Sequence, residues 1–387
     1  MLRSHFAVSI VAFVALWAAA CLAVAPTQSA LSEQVPPPAV PKAPSSIDES
    51  LGSLRNARIA FVTDGRPVPL TYLAGETSTA ELAELKALAP NVRVLSGLSR
   101  QQALEHAGEV QGADARFLTP EFLAAANRLV WVQAMGAGVD RLMALRGLVD
   151  EDRIVLTNLR GVHGPAIAEH VFATLLFLTR DLRFHVANQA TGTWGREGSA
   201  HRPIALQGKT MLVVGLGGIG GEVAERAHGL RMHVLATRRS DTASPAWIEH
   251  VGKPEELLAL LPRADVVVVC APLTPETEHL FGREAFGAMK PGAYFVNIAR
   301  GRIVDTRALH EALRDGRLAG ACLDVTDPEP LPADHPLWKL DNVVITPHVS
   351  NDSELTDERS KRLFHENFRR FGAGEPLFNV VDKRAGY

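Results

Sequence analysis

Gly215, Gly217 and Gly220 stand together in GLGGIG, and about twenty positions later ATRRSD presents Arg238 and Arg239. Glycines at that spacing suit the binding of a pyrophosphate. Gly215 permits a tight turn, Gly217 lets the backbone approach the phosphates, and Gly220 lets a helix pack closely on a strand. Gly218 and Ile219 then open a helix whose N-terminal N–H groups attract phosphate. The second strand of such a unit usually ends near an acid that accepts hydrogen bonds from an adenosine ribose, whereas an arginine there accommodates a 2′-phosphate. Here no carboxylate follows Thr237 until Asp241, and two guanidinium forks stand in its place. The expected cofactor is therefore NADP, with NAD as the alternative if the two arginines are only a solvated pair on a surface turn.

The motif carries weight because of the elements around it. In KTMLVVGLGGIGGEVAERAHGLRMHVLATRRSD, MLVVG reads as a strand, GEVAERAHGL as a helix and MHVLAT as a second strand. That is the strand, turn, helix, strand order the binding mechanism requires. ADVVVVCAPL, GAYFVNIARG, GACLDV and NVVITPH continue the alternation, with helical segments between. Asp305 is placed to cap the helix TRALHEALRDG, and Gly316 to stop it.

A similar alternation runs ahead of it. IAFVTDG, from Ile59, reads as a strand, ETSTAELAELKALAP as a helix and NVRVLSG as a strand, and ADARFLT, NRLVWVQAMGAGVD and IVLTNLRG add more candidates. GPAIAEHVFATLLFLTRDLRFHVANQA reads as one long buried helix joining two lobes. SELTDERSKRLFHENFRRFGAG reads as a late helix returning to the first lobe. The fold class is α/β: two Rossmann-like, doubly wound parallel-sheet lobes, with a cofactor lobe (161–351) inserted in a substrate lobe (55–160 and 352–387).

Bulk properties agree with this picture. At 387 residues the chain exceeds one ordinary core. A formal net charge of -3 argues against a nucleic-acid partner, and RSKR and FRR on the last helix are the only dense basic tracts. Cys270 and Cys322 lie in apolar strand-like runs and Cys21 in the leader, so they read as fillers, with no metal site expected.

Residues 6–25 carry no charge and follow Arg3; with a small-residue end at Ala23–Ala25 they read as a signal peptide or N-terminal anchor (1–25). A flexible Pro- and Ser-rich linker (26–54) follows. The expectation is export to the periplasm or a membrane tether through 6–25. If the leader is a miscalled start, the protein is cytoplasmic; the next methionine, however, is Met135.

GAGVD (136–140), RGVHGPAIAEH, GLGGIG, CAPLTPET, NIARGRIVD, LDVTDPEPLP and TPHVS occur in that order. In these motifs, from Arg58 onward, the chain resembles the D-isomer-specific 2-hydroxyacid dehydrogenases. The resemblance implies a catalytic trio of Arg300, Glu329 and His348, and substrate contacts at Ala137, Gly138, Val139 and Arg300. It places Ala271, Pro272, Ile298, Ala299, Arg300, Asp324 and His348 beside the cofactor, Asp324 near the nicotinamide amide. It also implies a homodimer. Arg238, aligned with the usual ribose-binding acid, resembles the pattern of the glyoxylate and hydroxypyruvate reductase branch.

The trio makes chemical sense without the resemblance. A 2-keto acid offers a carboxylate for the fixed fork of Arg300. Hydride addition builds charge on the carbonyl oxygen, which calls for a donor titrating near neutrality, His348, held protonated and oriented by Glu329. In the reverse direction His348 is the base. The backbone N–H groups of Ala137, Gly138 and Val139 suit the substrate carboxylate. Each residue has a plainer alternative: a surface ion pair for Arg300, a loop acid for Glu329, local backbone bonding for His348, and a turn-capping carboxylate for Asp324.

The expected function is interconversion of a small 2-keto acid and its D-2-hydroxy acid by hydride transfer, with specificity set around Phe117, Leu118 and Met135. The alternative is a corepressor-like binding protein that senses the dinucleotide without turnover.

Overall fold

The computed structural model describes residues 62–63, 66–196, 198 and 202–386, all within one compact unit. The leader, the linker 26–54 and Cys21 lie outside the described residues. Among the described residues no helix is long and apolar enough to cross a membrane.

Val62–Thr63 (β1) and Arg66–Pro67 (β2) pair antiparallel as a small hairpin. This corrects the expectation at IAFVTDG. The first strand of the parallel sheet is instead Leu70–Leu73 (β3), the run LTYL, whose four side chains are all buried. Val92–Leu95 (β4), Gly112–Asp114 (β5), Trp131–Gln133 (β6) and Val155–Thr157 (β7) complete a five-stranded parallel sheet in the order β4-β3-β5-β6-β7.

The second sheet comprises Thr210–Val214 (β8), His233–Thr237 (β9), His250–Gly252 (β10), Val266–Val269 (β11), Ala293–Asn297 (β12), Leu318–Leu323 (β13) and Val343–Ile345 (β14). Its order is β10-β9-β8-β11-β12-β13-β14, parallel throughout. Runs such as VVVV are apolar at every position because helices cover both faces of a parallel sheet. Leu212, Val214, Val267, Val269 and Phe295 face one core, while Met211, Val213, Val266, Val268 and Val296 face the other, as the two-residue strand period dictates.

The run from Gly164 to Ala190 is two helices, Gly164–Thr179 and Leu182–Ala190. Asp181 between them takes a left-handed conformation, φ 51°, and the second helix buries none of its residues. One long buried helix was expected; the apolar face ends with the sequence FLT, and the polar LRFHVANQA leaves the core. Helix Glu354–Ala373 does return to the first sheet, where Phe364, Phe368 and Phe371 pack with Tyr72 and Trp131 in one buried aromatic cluster. Asp305 caps Thr306–Arg314 by accepting from the N–H groups of Arg307 and Ala308 at 3.0 Å, and Gly316 follows with φ 72°.

Candidate active site

In the second sheet the strand order reverses between β8 and β11, and the glycine turn leaves β8 at that point. Gly215 has φ 102°, and a Cβ there would come within 2.7 Å of Ala271 N, which follows β11. A Cβ on Gly220 would overlap the Gly215 carbonyl. Gly217 faces open space and carries no side-chain cap for helix Gly218–Gly229. Among the described residues no side chain caps the first N–H groups of that helix. Ala271 is half-buried and Pro272 exposed at the neighbouring strand end. This is the crevice in which open α/β sheets take dinucleotides, and the turn closes this tightly only because Gly215 and Gly220 lack side chains.

Arg238 follows β9 directly, next to the turn, since Thr237 O accepts from Gly215 N at 3.1 Å and Leu216 N at 2.9 Å. Its guanidinium is neither free nor fully solvated. Nε donates to Ser240 O at 3.1 Å, and Nη2 donates to Ser244 Oγ at 3.0 Å and to Thr242 O. Arg239 is exposed beside it. Lys253 Nζ, which the sequence reading did not single out, donates to Arg239 O at 2.9 Å and pairs with Asp241.

Arg300 follows β12. The buried side chain of Asn297 shapes this turn by donating to Arg300 O at 2.9 Å and accepting from Ala299 N at 3.0 Å. Ile298 and Ala299 are buried beneath it. Arg300 Nε donates to Asp140 Oδ1 at 2.9 Å, and Nη1 to Ala299 O at 2.7 Å. Its remaining nitrogen lies over Gly138, where any Cβ would overlap it. Residues of the two sheets thus meet here, as expected for Arg300 and Gly138. Asp140 was missed, although it lies within the quoted GAGVD.

The loop around Gly138 is fixed from below. Asn158 Nδ2 donates to Ala137 O at 2.7 Å and Leu159 N to Gly136 O at 3.0 Å. Val139 is buried in the first core. The carbonyls are thereby occupied, while the N–H groups of Ala137, Gly138 and Val139 have no acceptor among the described residues.

Glu329 and His348 are brought together at 2.9 Å, Glu329 Oε1 to His348 Nδ1, with both side chains about a third or more exposed. Gly301 connects them to Arg300: a Cβ there would overlap Thr326 O, so backbone packs on backbone and the 326–329 loop sits against the end of β12. His348 has φ 59°, and its N–H donates to Asp324 O at 2.9 Å. Asp324 is almost wholly buried. Its oxygens accept from Thr346 Oγ1 at 2.6 Å, Val349 N at 3.0 Å and Ser350 N at 3.0 Å. Burial opposes its charge, but the bonds from Ser350, Thr346 and Val349 prevail and hold the carboxyl below its ordinary value. These bonds serve the 346–350 turn, the turn-capping role named as the alternative for Asp324. His170, from the helix between the lobes, joins the network at Thr346 Oγ1, 3.0 Å away.

Phe117 and Leu118, expected to set specificity, are core residues, 5% and 9% exposed. Met135 is exposed at 43%. The side chain that does emerge after β5 is Arg116. Burial pushes the thiols of Cys270 and Cys322 up to about 12, which leaves them unreactive near neutrality.

Comparison with known proteins agrees with this geometry. Residues 172–350 match the family model for the D-isomer specific 2-hydroxyacid dehydrogenase NAD binding domain. A glyoxylate reductase of Korarchaeum cryptofilum is 37% identical over 238 residues, covering 59% of this chain and 70% of that protein. The chain belongs to the D-2-hydroxyacid dehydrogenase family. A family member of known structure from Aeromonas salmonicida subsp. salmonicida is 36% identical, with a TM-score of 0.70 over 81% of this chain and 99% of that one. Another, from Xanthobacter autotrophicus Py2 in complex with NADPH and MES, is 31% identical, with a TM-score of 0.69 over 82% and 99%. The D-3-phosphoglycerate dehydrogenase of Methanocaldococcus jannaschii is 32% identical over 75% of this chain, which spans only 55% of that enzyme's length.

As a family member, this dehydrogenase uses a nicotinamide dinucleotide to interconvert small 2-keto and 2-hydroxy acids. The bound dinucleotide supplies or accepts the hydride. For its part, the chain brings together the Arg300 guanidinium and the N–H groups of the Gly138 loop, donors that can bind a carboxylate. It also presents an imidazole at His348 whose Nδ1 is held by Glu329, a group able to give or take a proton at Nε2.

Proposed function

We propose that the enzyme works as an NADPH-preferring reductase of a small 2-keto acid such as glyoxylate, hydroxypyruvate or a related compound. Arg300, Glu329 and His348 form its catalytic group. The observation that carries the reaction is the pairing of His348 with Glu329 on a loop packed, through Gly301, against the Arg300 turn. In this reading the N–H groups of Ala137, Gly138 and Val139 and the guanidinium of Arg300 grip the substrate carboxylate, and His348 protonates the carbonyl oxygen as hydride arrives.

The cofactor preference is supported by position and charge. Arg238 is the first residue past β9, Arg239 and Lys253 stand beside it, and the nearest acid, Asp241, is taken by Lys253. The loop oxygens of Ser240, Thr242 and Ser244 hold the Arg238 fork just past β9, where a 2′-phosphate would replace part of that set. The solved relative from Xanthobacter autotrophicus Py2 binds NADPH. The fully exposed Trp194 and the unburied helix Leu182–Ala190 supply a surface for the expected dimer, and residues 6–25 support export or membrane anchorage. Light scattering and cell fractionation test these two.

The deciding experiment follows keto-acid-dependent oxidation of NADPH and of NADH, glyoxylate and hydroxypyruvate first. Turnover with NADPH preferred is expected. Saturable dinucleotide binding with no turnover across a broad keto-acid panel would instead support a sensor.

A further inference from the structure

The first sheet has a strand-order reversal of its own, between β3 and β5. Open parallel sheets take ligands in the crevice outside the carboxyl ends of their strands at such a point. Two residues past β3 is Gly75, and two past β5 is Arg116. The backbone N–H and Nε of Arg116 both donate to the Asp114 carboxylate at 2.9 Å. The Asp114 side chain is 8% exposed and that of Arg116 is 53% exposed. The guanidinium lies on the backbone of Gly75, where a Cβ would overlap it, and among the described residues its terminal nitrogens have no protein acceptor.

Arg300 is built in the same manner: an aspartate holds Nε, a glycine lets the planar group lie flat, and an outer edge is left for a ligand. An arginine serving only to neutralise Asp114 has no need of a glycine floor or of two idle donors at a ligand crevice. The loop Gly136–Asp140 leaves β6, the neighbour of β5, so the two cation sites lie on the same edge of the sheet, at the carboxyl ends of its strands.

We propose that Arg116 binds a second anionic group, so that the favoured substrates are 2-keto acids bearing a carboxylate, sulfonate or phosphate remote from the ketone. The proposal rests on the keto-acid reductase reading above and narrows its substrate class. A fixed fork with free terminal nitrogens is suited to bidentate contact with such a group.

The test compares kcat/KM, with saturating NADPH and the full chain, for glyoxylate, oxaloacetate, sulfopyruvate and phosphohydroxypyruvate. At least one of the three acids with a second anionic group should exceed glyoxylate by roughly 10- to 100-fold, the worth of one charge-assisted contact. Arg116→Gln should reduce that ratio by a similar factor, through KM. Because Arg116→Gln leaves Asp114 unpaired, the double variant Asp114→Asn/Arg116→Gln is measured beside it, with NADPH binding as the check of folding. Which of the three acids responds identifies the second anion. Turnover of glyoxylate with none of the three other acids preferred, or a ratio unchanged in both variants, overturns this inference alone. Absence of turnover with every acid overturns the reductase reading together with it.

Discussion

Asp140 and Arg300, 160 positions apart, are joined by a 2.9 Å hydrogen bond from Nε to Oδ1, and the arginine's outer nitrogen lies over Gly138 between them. The bond belongs to neither sheet's local structure. It exists because the strand ends β6 and β12 face each other.

Gly138 is therefore a steric requirement for the position of Arg300. Gly138→Ala should push the guanidinium aside, raising KM for the keto acid by about tenfold or more, the worth of one charge-assisted contact, while NADPH affinity stays constant. Steady-state kinetics with a fluorescence titration of NADPH checks this.

The proton-transfer pair makes a second prediction. His348→Ala should abolish keto-acid reduction with NADPH binding retained, and Glu329→Gln should lower kcat by roughly 10²-fold through loss of imidazole orientation. Near-normal turnover in His348→Ala would remove that residue from the mechanism.

Arg238→Asp should move preference from NADPH toward NADH, because it deletes the phosphate partner and supplies a ribose acceptor. The ratio of kcat/KM for the two cofactors is the readout. An unchanged ratio would mean that the fork serves only the Ser240–Ser244 loop.

At Gly301 a methyl group would collide with the Thr326 backbone, which cannot rotate away. Gly301→Ala should cost about 2 kcal/mol or more of stability, seen as a lower Tm, and displace the loop that carries Glu329.

His163, buried at the head of helix Gly164–Thr179, is held below its ordinary value of 6.5 by burial. The unfolded chain thus binds this proton more readily than the folded one. The contribution to stability is complete above about 6.5 and is lost as pH falls from there toward the depressed folded value. The loss of Tm on going from about pH 7.5 to about pH 5.5 should be smaller in His163→Gln than in the parent protein.

The sequence by itself determined the phosphate-binding unit, since strand, glycine turn and helix are contiguous from Thr210 to Gly229 and their fit depends on neighbours in the chain. It determined the cap at Asp305 for the same reason, and the ordered motifs determined the family. It did not show that β3 is LTYL rather than IAFVTDG, because two short apolar runs there satisfy one strand equally well and only pairing with β4 and β5 chooses between them. Likewise, which of Arg116, Phe117 and Leu118 turns outward depends on packing after β5: two of them fill the core and the third is fixed by Asp114. Tertiary structure also decided the partners of Asp140, Gly301 and Asp324. These contacts close long loops between strands, and no local spacing encodes them.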